Sequence, residues 1–276
     1  MPDSPKKILT VGGWDPCGTY GVAADIKTFA TLGCHGMAAL SVATVQNSQN
    51  WLGADFFSAD FVADQLEAIL SDYGTDALKT GFLGQEEIIG VVAEKIKKYG
   101  ISRVIVDPVV LNGSGEVMFK AGVKEAYETY LFPLATVVTP NLSELSYFLT
   151  GETLPWTLSD ASKKNLAAYY QAHFPYRKQQ LITLKGVRNP QPEITFADGW
   201  FDGQSFSFTA KEALNSSNLG GSGDTFSAAI TAYLAITGEL EPSIKAASQF
   251  THKAIQNATN WKLAHGQGPT ANFLSG

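Results

Sequence analysis

Only two cysteines, Cys17 and Cys34, occur in the 276 residues. That is too few for a disulfide framework or a thiolate metal cluster, and it suits a reducing compartment. Positive charge is not in excess. Twenty Lys and Arg stand against 26 Asp and Glu, a net charge of −6, so no broad basic face for nucleic acid is expected. Long apolar runs are missing too: none approaches the roughly 18 residues of a membrane span. The short apolar stretch between Lys7 and Gly12 cannot form the core of a secretory signal. The expectation is a cytoplasmic protein with neither nucleic acid nor membrane as partner. The four histidines, His35, His173, His252 and His265, fall at no metal-ligand spacing. No G-x-x-x-x-G-K-[ST], H-E-x-x-H or G-x-S-x-G is present, and no G-x-G-x-x-G follows the first apolar run. Internal repeats, low-complexity tracts and linkers are absent, so residues 1–276 read as one domain.

Hydrophobic residues make up 45% of the chain, enough to build a substantial core. Apolar runs at Ile8–Val11, Met37–Val45, Ala77–Thr80, Val104–Val106, Ala135–Val138 and Leu181–Leu184 read as buried strands. Between and after them lie helical patterns at Gly21–Leu32, Phe61–Leu70, Glu86–Tyr99, Val123–Tyr130, Ser143–Leu149, Asp160–Tyr170, Thr225–Ile236 and Pro242–Ala258. This alternation predicts an α/β fold with a mainly parallel sheet and helices on both faces. The segment Glu193–Thr209 carries Asp198-Gly199 and Asp202-Gly203, two hairpin signals, and predicts a small antiparallel edge. Ligands of open α/β sheets bind beyond the carboxyl ends of the strands. Those ends here carry Gly13-Trp14-Asp15, Gln46-Asn47, Gly81, Asp107-Pro108, Asn141 and Lys185-Gly186.

Gly220-Gly221-Ser222-Gly223-Asp224 opens a helix rich in small residues. Glycines let the backbone approach a ligand, and the first-turn amides with the helix dipole favour an anion. Asp224, in that turn, is placed to take a proton from a hydroxyl. Alternatively, Ser222 or Asp224 is an ordinary helix cap. Asn141 and Glu144 have the spacing of a capping box, and equally that of groups holding Mg²⁺ near phosphates, with Asp107 as a second carboxylate. Asp25 falls near the start of the first helix and Gln46 closes a strand. Both suit a small polar aromatic ligand, or are solvated surface residues, as Lys185 is in its plainer reading.

These segments together resemble the ribokinase superfamily, and within it the hydroxymethylpyrimidine/phosphomethylpyrimidine kinases of thiamin synthesis. The likeness runs through Gly13-Trp14-Asp15-Pro16, Ala24-Asp25-Ile26-Lys27-Thr28-Phe29, Val45-Gln46-Asn47 and Lys79-Thr80-Gly81. It continues in Val106-Asp107-Pro108-Val109 with Ser114-Gly115, Thr139-Pro140-Asn141-Leu142-Ser143-Glu144, Lys185-Gly186, Gly221-Ser222-Gly223-Asp224-Thr225 and His265-Gly266-Gln267-Gly268-Pro269. The resemblance implies a ribokinase-like homodimer that uses ATP and Mg²⁺ to phosphorylate a small-molecule alcohol. That alcohol would be the hydroxymethyl group of 4-amino-5-hydroxymethyl-2-methylpyrimidine, and in that family often the resulting monophosphate as well. It implies Asp224 as base and the amides of Gly221, Ser222 and Gly223 as an anion hole. Asn141 and Lys185 would serve ATP, and Glu144 and Asp107 the metal. Gly13, Asp25, Gln46, Phe82 and Val109 would surround the acceptor ring. Pyridoxal kinase, or a non-catalytic vitamin-binding protein on the same scaffold, are the competing readings. Tyr20 stands where the family usually carries alanine, so it and Trp14 are expected to narrow the pocket.

Overall fold

The structure is a computed structural model that describes residues 4–111, 117–118, 122–153, 157–174, 180–187 and 196–274. Ser114, Gly115 and residues 193–195 of the expected edge segment lie outside the described residues. Among the described residues nine strands form one sheet: β1 (Lys7–Trp14), β2 (His35–Gln46), β3 (Trp51–Phe56), β4 (Ala77–Thr80), β5 (Val104–Val106), β6 (Val137–Val138), β7 (Leu181–Val187), β8 (Phe196–Phe201) and β9 (Phe206–Lys211). Their spatial order is β3-β2-β1-β4-β5-β6-β7-β8-β9. The six from β2 to β7 in this order run parallel. β3 pairs antiparallel with β2, and β8 and β9 extend the far side antiparallel.

Alternation along the strands sorts their side chains between two helical layers. Leu9, Val11, Leu78, Val104 and Val106 pack on one face under α2 (Ala59–Asp72), α3 (Glu86–Lys98), α4 (Val123–Ala126), α5 (Leu142–Thr150) and α6 (Asp160–His173). Ile8, Ala77, Ile105 and Val137 face α1 (Gly21–Thr31), α7 (Ser222–Thr237) and α8 (Leu240–Ala258). α7 buries Ala228, Ala229, Ala232 and Ala235. These small side chains let it lie close to the sheet, with its N-terminus at the carboxyl ends of the parallel strands. No helix among the described residues is long and apolar enough to cross a membrane.

Several expectations need correction. β1 does not stop at Gly12-Gly13 but shifts register there and runs on to Trp14. β3 escaped sequence analysis because its side chains are mostly exposed and show no core pattern, so antiparallel strands close both edges of the sheet instead of one. Asp198-Gly199 is not a turn but the middle of β8. Phe208 lies over Gly199, where a Cβ would meet its ring at 2.7 Å. The turn is at Asp202-Gly203: Asp202 accepts hydrogen bonds from the Gln204 and Ser205 amides, and Gly203 has φ 93°. The helix at Val123 widens into a π-helical turn over Tyr127–Leu131 and tightens at Phe132–Leu134, where Pro133 cannot continue the ladder. β6 is shorter than expected because the Ala135 amide closes that turn, donating to Leu131 and Phe132 carbonyls.

Candidate active site

The loop between β1 and α1 is organised by Asp15, buried to 2% exposure. Its Oδ1 accepts the Cys17 amide, and its Oδ2 accepts the Thr19 and Tyr20 amides at 2.8 and 2.9 Å. This folds the loop back across β1, so that Gly21, at φ 59°, lies against the Gly13 carbonyl where no side chain fits. The result is one wall of a cavity of about 390 Å³. Gly13, Gln46, Phe82 and Val109 come together in its lining, with Trp14, Trp51, Leu111 and Met118 adding apolar surface. Trp51 and Phe56 both set their rings edge-on to Phe82. The Tyr20 hydroxyl donates to Gln267 Oε1 at 3.0 Å, closing the cavity against the C-terminal segment.

A second cavity of about 490 Å³ adjoins it and holds Asp107, Asn141, Glu144, Lys185 and Gly221 to Asp224. Asn141 and Glu144 form the capping box of α5: Asn141 Oδ1 accepts the Glu144 amide at 2.9 Å, and Glu144 Oε2 accepts the Asn141 amide at 2.8 Å. The cap reading therefore holds, yet the same carboxylate lines the cavity. Burial, then the nearby Asp107 charge, pushes the Glu144 carboxyl up to about 8. Asp107 has both oxygens engaged by protein donors: Thr139 Oγ1 and Lys185 Nζ on Oδ1, Ser227 Oγ on Oδ2. It anchors Lys185 at 3.1 Å, and Lys185 Nζ in turn stands over Gly223, 3.5 Å from where a Cβ would be.

α7 begins at Gly221, whose φ of 72° places it in the left-handed region, and no side chain caps the helix. This removes the ordinary-cap reading of Ser222 and Asp224. Of the three amides expected to form an anion hole, that of Ser222 already donates to the Leu219 carbonyl at 3.1 Å. The glycine loop is fixed from the C-terminal motif: the Gly220 amide donates to the Gly268 carbonyl, and the Thr270 amide to the Gly220 carbonyl.

Asp224 lines both cavities, and so does Tyr20. The Asp224 side chain is 14% exposed. Burial raises its pKa, and Lys79 is the strongest influence the other way. Asp25 does not line the first cavity. It sits beneath it at 1% exposure, holding Thr10 and Lys79. The expectation that it faces a ring therefore fails geometrically, and so does the plain reading of a solvated residue. An acidic group between a mostly apolar pocket and a cradle of lysine, carboxylates and a helix N-terminus is the arrangement that phosphoryl transfer requires.

A family model described as phosphomethylpyrimidine kinase matches residues 15–271. The chain belongs to that family. It is 32% identical over 269 residues to a hydroxymethylpyrimidine/phosphomethylpyrimidine kinase of Bacillus subtilis, covering 97% of this chain and 94% of that protein. It is 34% identical over 270 residues to a pyridoxine kinase of the same organism, covering 97% and 96%. The structure of a pyridoxal kinase from Staphylococcus aureus in complex with AMP-PCP superposes with a TM-score of 0.84 at 33% identity, over 98% of this chain and 94% of that one. This member of the family is accordingly a kinase, an ATP-dependent phosphotransferase on the ribokinase-like fold.

Sequence analysis of this kinase missed five contributors to the site. Lys79 appeared only inside a motif, although a lysine in a four-residue buried strand is itself unusual. Asp15 organises the first loop, a role its short-range Asp-to-amide spacing is suited to. Trp51 and Met118 come from segments with no local signal of a site, Gln267 stood only inside the closing motif, and the three meet only in the folded chain.

Proposed function

We propose that the chain transfers the γ-phosphoryl group of ATP to the hydroxymethyl group of 4-amino-5-hydroxymethyl-2-methylpyrimidine. The observation that carries this reading is the position of Asp224 at the junction of the two cavities. The acceptor ring lies between Phe82 and Val109 with Gln46 at its polar edge, and presents its alcohol to Asp224. The acceptor oxygen attacks the γ-phosphorus, the bond from that phosphorus to the β–γ bridging oxygen breaks, and ADP leaves. The alcohol proton passes to an Asp224 carboxylate oxygen. Lys185 and the α7 N-terminus hold the phosphates, with Asn141 beside them, and orientation supplies most of the rate.

Mg²⁺ fits the second cavity. Burial first, and then repulsion from Asp107, hold the Glu144 carboxyl up at about 8, and a cation offsets both. Among the described residues no cluster of three or more potential ligands forms a closed metal cage, which suits an ion held mainly by nucleotide phosphates. Glu144 is the group placed to hold it, Asp107 being occupied by its own donors. When bound, the ion neutralises phosphate charge.

The close pyridoxine and pyridoxal kinase relatives support a second reading, in which the acceptor is a pyridoxal-type alcohol. ADP release with Mg²⁺-ATP and each purified alcohol separates the two. A kcat/KM at least tenfold higher for the pyrimidine supports the first, and the reverse order supports the second. Tight binding of either ring without ADP release would make the chain a vitamin-binding protein and overturn both.

A further inference from the structure

Beneath the junction of the two cavities lies a buried charge cluster that the transfer step as written leaves unused. Ala77 and Lys79 project from β4 to the same sheet face, the one covered by α1 and α7. Lys79 is 0% exposed and its ammonium lies 2.9 Å from Asp25 Oδ2 and 3.7 Å from Asp224 Oδ1. Thr10 Oγ1 donates to the same Asp25 oxygen at 2.6 Å, while Asp25 Oδ1 is buried without a hydrogen-bond partner among the described residues. A buried ion pair costs several kcal/mol of desolvation per ion and adds little stability over an apolar pair of similar size. One ammonium shared by two carboxylates, one of them poorly hydrogen-bonded, is therefore a poor device for stability alone.

We propose that Lys79 and Asp25 are positioning residues for phosphoryl transfer: Lys79 holds Asp224 ionised and fixed between the cavities, and Asp25 draws off part of that charge so that Asp224 stays basic enough to accept the alcohol proton. The proposal rests on Asp224 being the base. The cluster carries one net negative charge before transfer. It carries none once Asp224 is protonated, when Lys79 remains paired with Asp25. Burial pulls the Lys79 ammonium down, but Asp25, Asp224 and Asp107 more than offset it, so Lys79 stays charged. The other groups acting on Asp224 are Asp107 beyond β5, the Gly21 amide at the start of α1, Lys185 on β7, and Tyr20 before α1.

The experiment is the pH profile of kcat/KM for the full-length protein, its Lys79→Met and Asp25→Asn variants, and Asp224→Asn as the reference loss of base. Circular dichroism and thermal melting establish folding. Protonation of nucleotide and ring is common to every variant, so displacements of the acid limb belong to the protein. Lys79→Met moves that limb to higher pH by about 1 unit, since an opposite charge at this range shifts a carboxyl by 1–3 units. Asp25→Asn removes a negative neighbour and moves it to lower pH. A general loss of packing would not displace the limb in opposite directions. If Lys79→Met does not fold, Asp25→Asn alone decides: a downward shift supports the proposal, and no shift or an upward one overturns it. Limbs that stay in place or move together, with Asp224→Asn inactive, refute the roles of Lys79 and Asp25 and leave the base intact. An active Asp224→Asn removes the base and this proposal with it.

Discussion

Replacing Asp224 by Asn is the most informative single change. The amide keeps the shape of the side chain but cannot take a proton from the acceptor alcohol. The helix loses no cap, because Gly221 starts α7 and no side chain caps it. What it loses is a carboxylate in the first turn, worth about 0.3–1 kcal/mol at a helix N-terminus. Lys79 keeps its 2.9 Å contact with Asp25, so no buried ammonium is stranded. The fold should therefore persist with a small change in melting temperature. Lys185 is held by Asp107 and not by Asp224, so nucleotide binding should also persist. Removing a general base typically costs about 10²–10⁴-fold in rate, or about 3–5 kcal/mol of transition-state stabilisation. The expected result is a kcat lower by that factor in a coupled ADP-release assay, with ATP affinity by calorimetry changed less than about threefold. That threefold corresponds to roughly 0.65 kcal/mol. A variant keeping more than roughly a third of the kcat, well outside the range for base loss, would refute the role of Asp224. The transfer step would then have to proceed by positioning alone.

Glu144→Gln should keep the cap of α5, since Gln serves a capping box as well as Glu, and should relieve the repulsion with Asp107. Its thermal stability should match or exceed that of the parent, while the Mg²⁺ concentration for half-maximal rate rises about tenfold, one lost carboxylate–cation contact. An unchanged Mg²⁺ titration leaves Glu144 as a cap only. Lys185→Met removes the cation that lines the phosphate cavity beside Gly223. It should raise the KM for ATP on the order of 10- to 100-fold, the worth of a charged hydrogen bond, with the acceptor KM little changed. Equal rises in both would disprove a donor-side role. Tyr20→Ala opens the boundary between the cavities and breaks the contact with Gln267. It should change the ratio of kcat/KM between pyrimidine and pyridoxal alcohols by about tenfold, the usual scale for one pocket group. An unchanged ratio excludes Tyr20 from selectivity.

The sequence by itself determined the layered α/β fold, because the six parallel strands are short apolar runs bounded by Gly, Pro and Asp, and that signal is local. Local too are the glycine turn before Asp224 and the Asn141–Glu144 spacing, so both were legible. Only the tertiary structure decided how these groups are used. β3 carries little buried surface, so its residues show no pattern that separates an edge strand from a loop. Asp198 looked like a turn because Asp-Gly favours one, yet its carboxylate is held inside the sheet by the Gly186 amide, Ser248 and Lys211. Asp25 looked like a ligand for the acceptor, but its distance from the cavity is set by the height of α1 above β4, which no spacing along the chain encodes. The partnership of Asp25, Lys79 and Asp224 joins residues from three elements up to 199 positions apart (224 − 25). Charges so distant in sequence interact only once the sheet brings them within 4 Å and burial removes the water that would screen them.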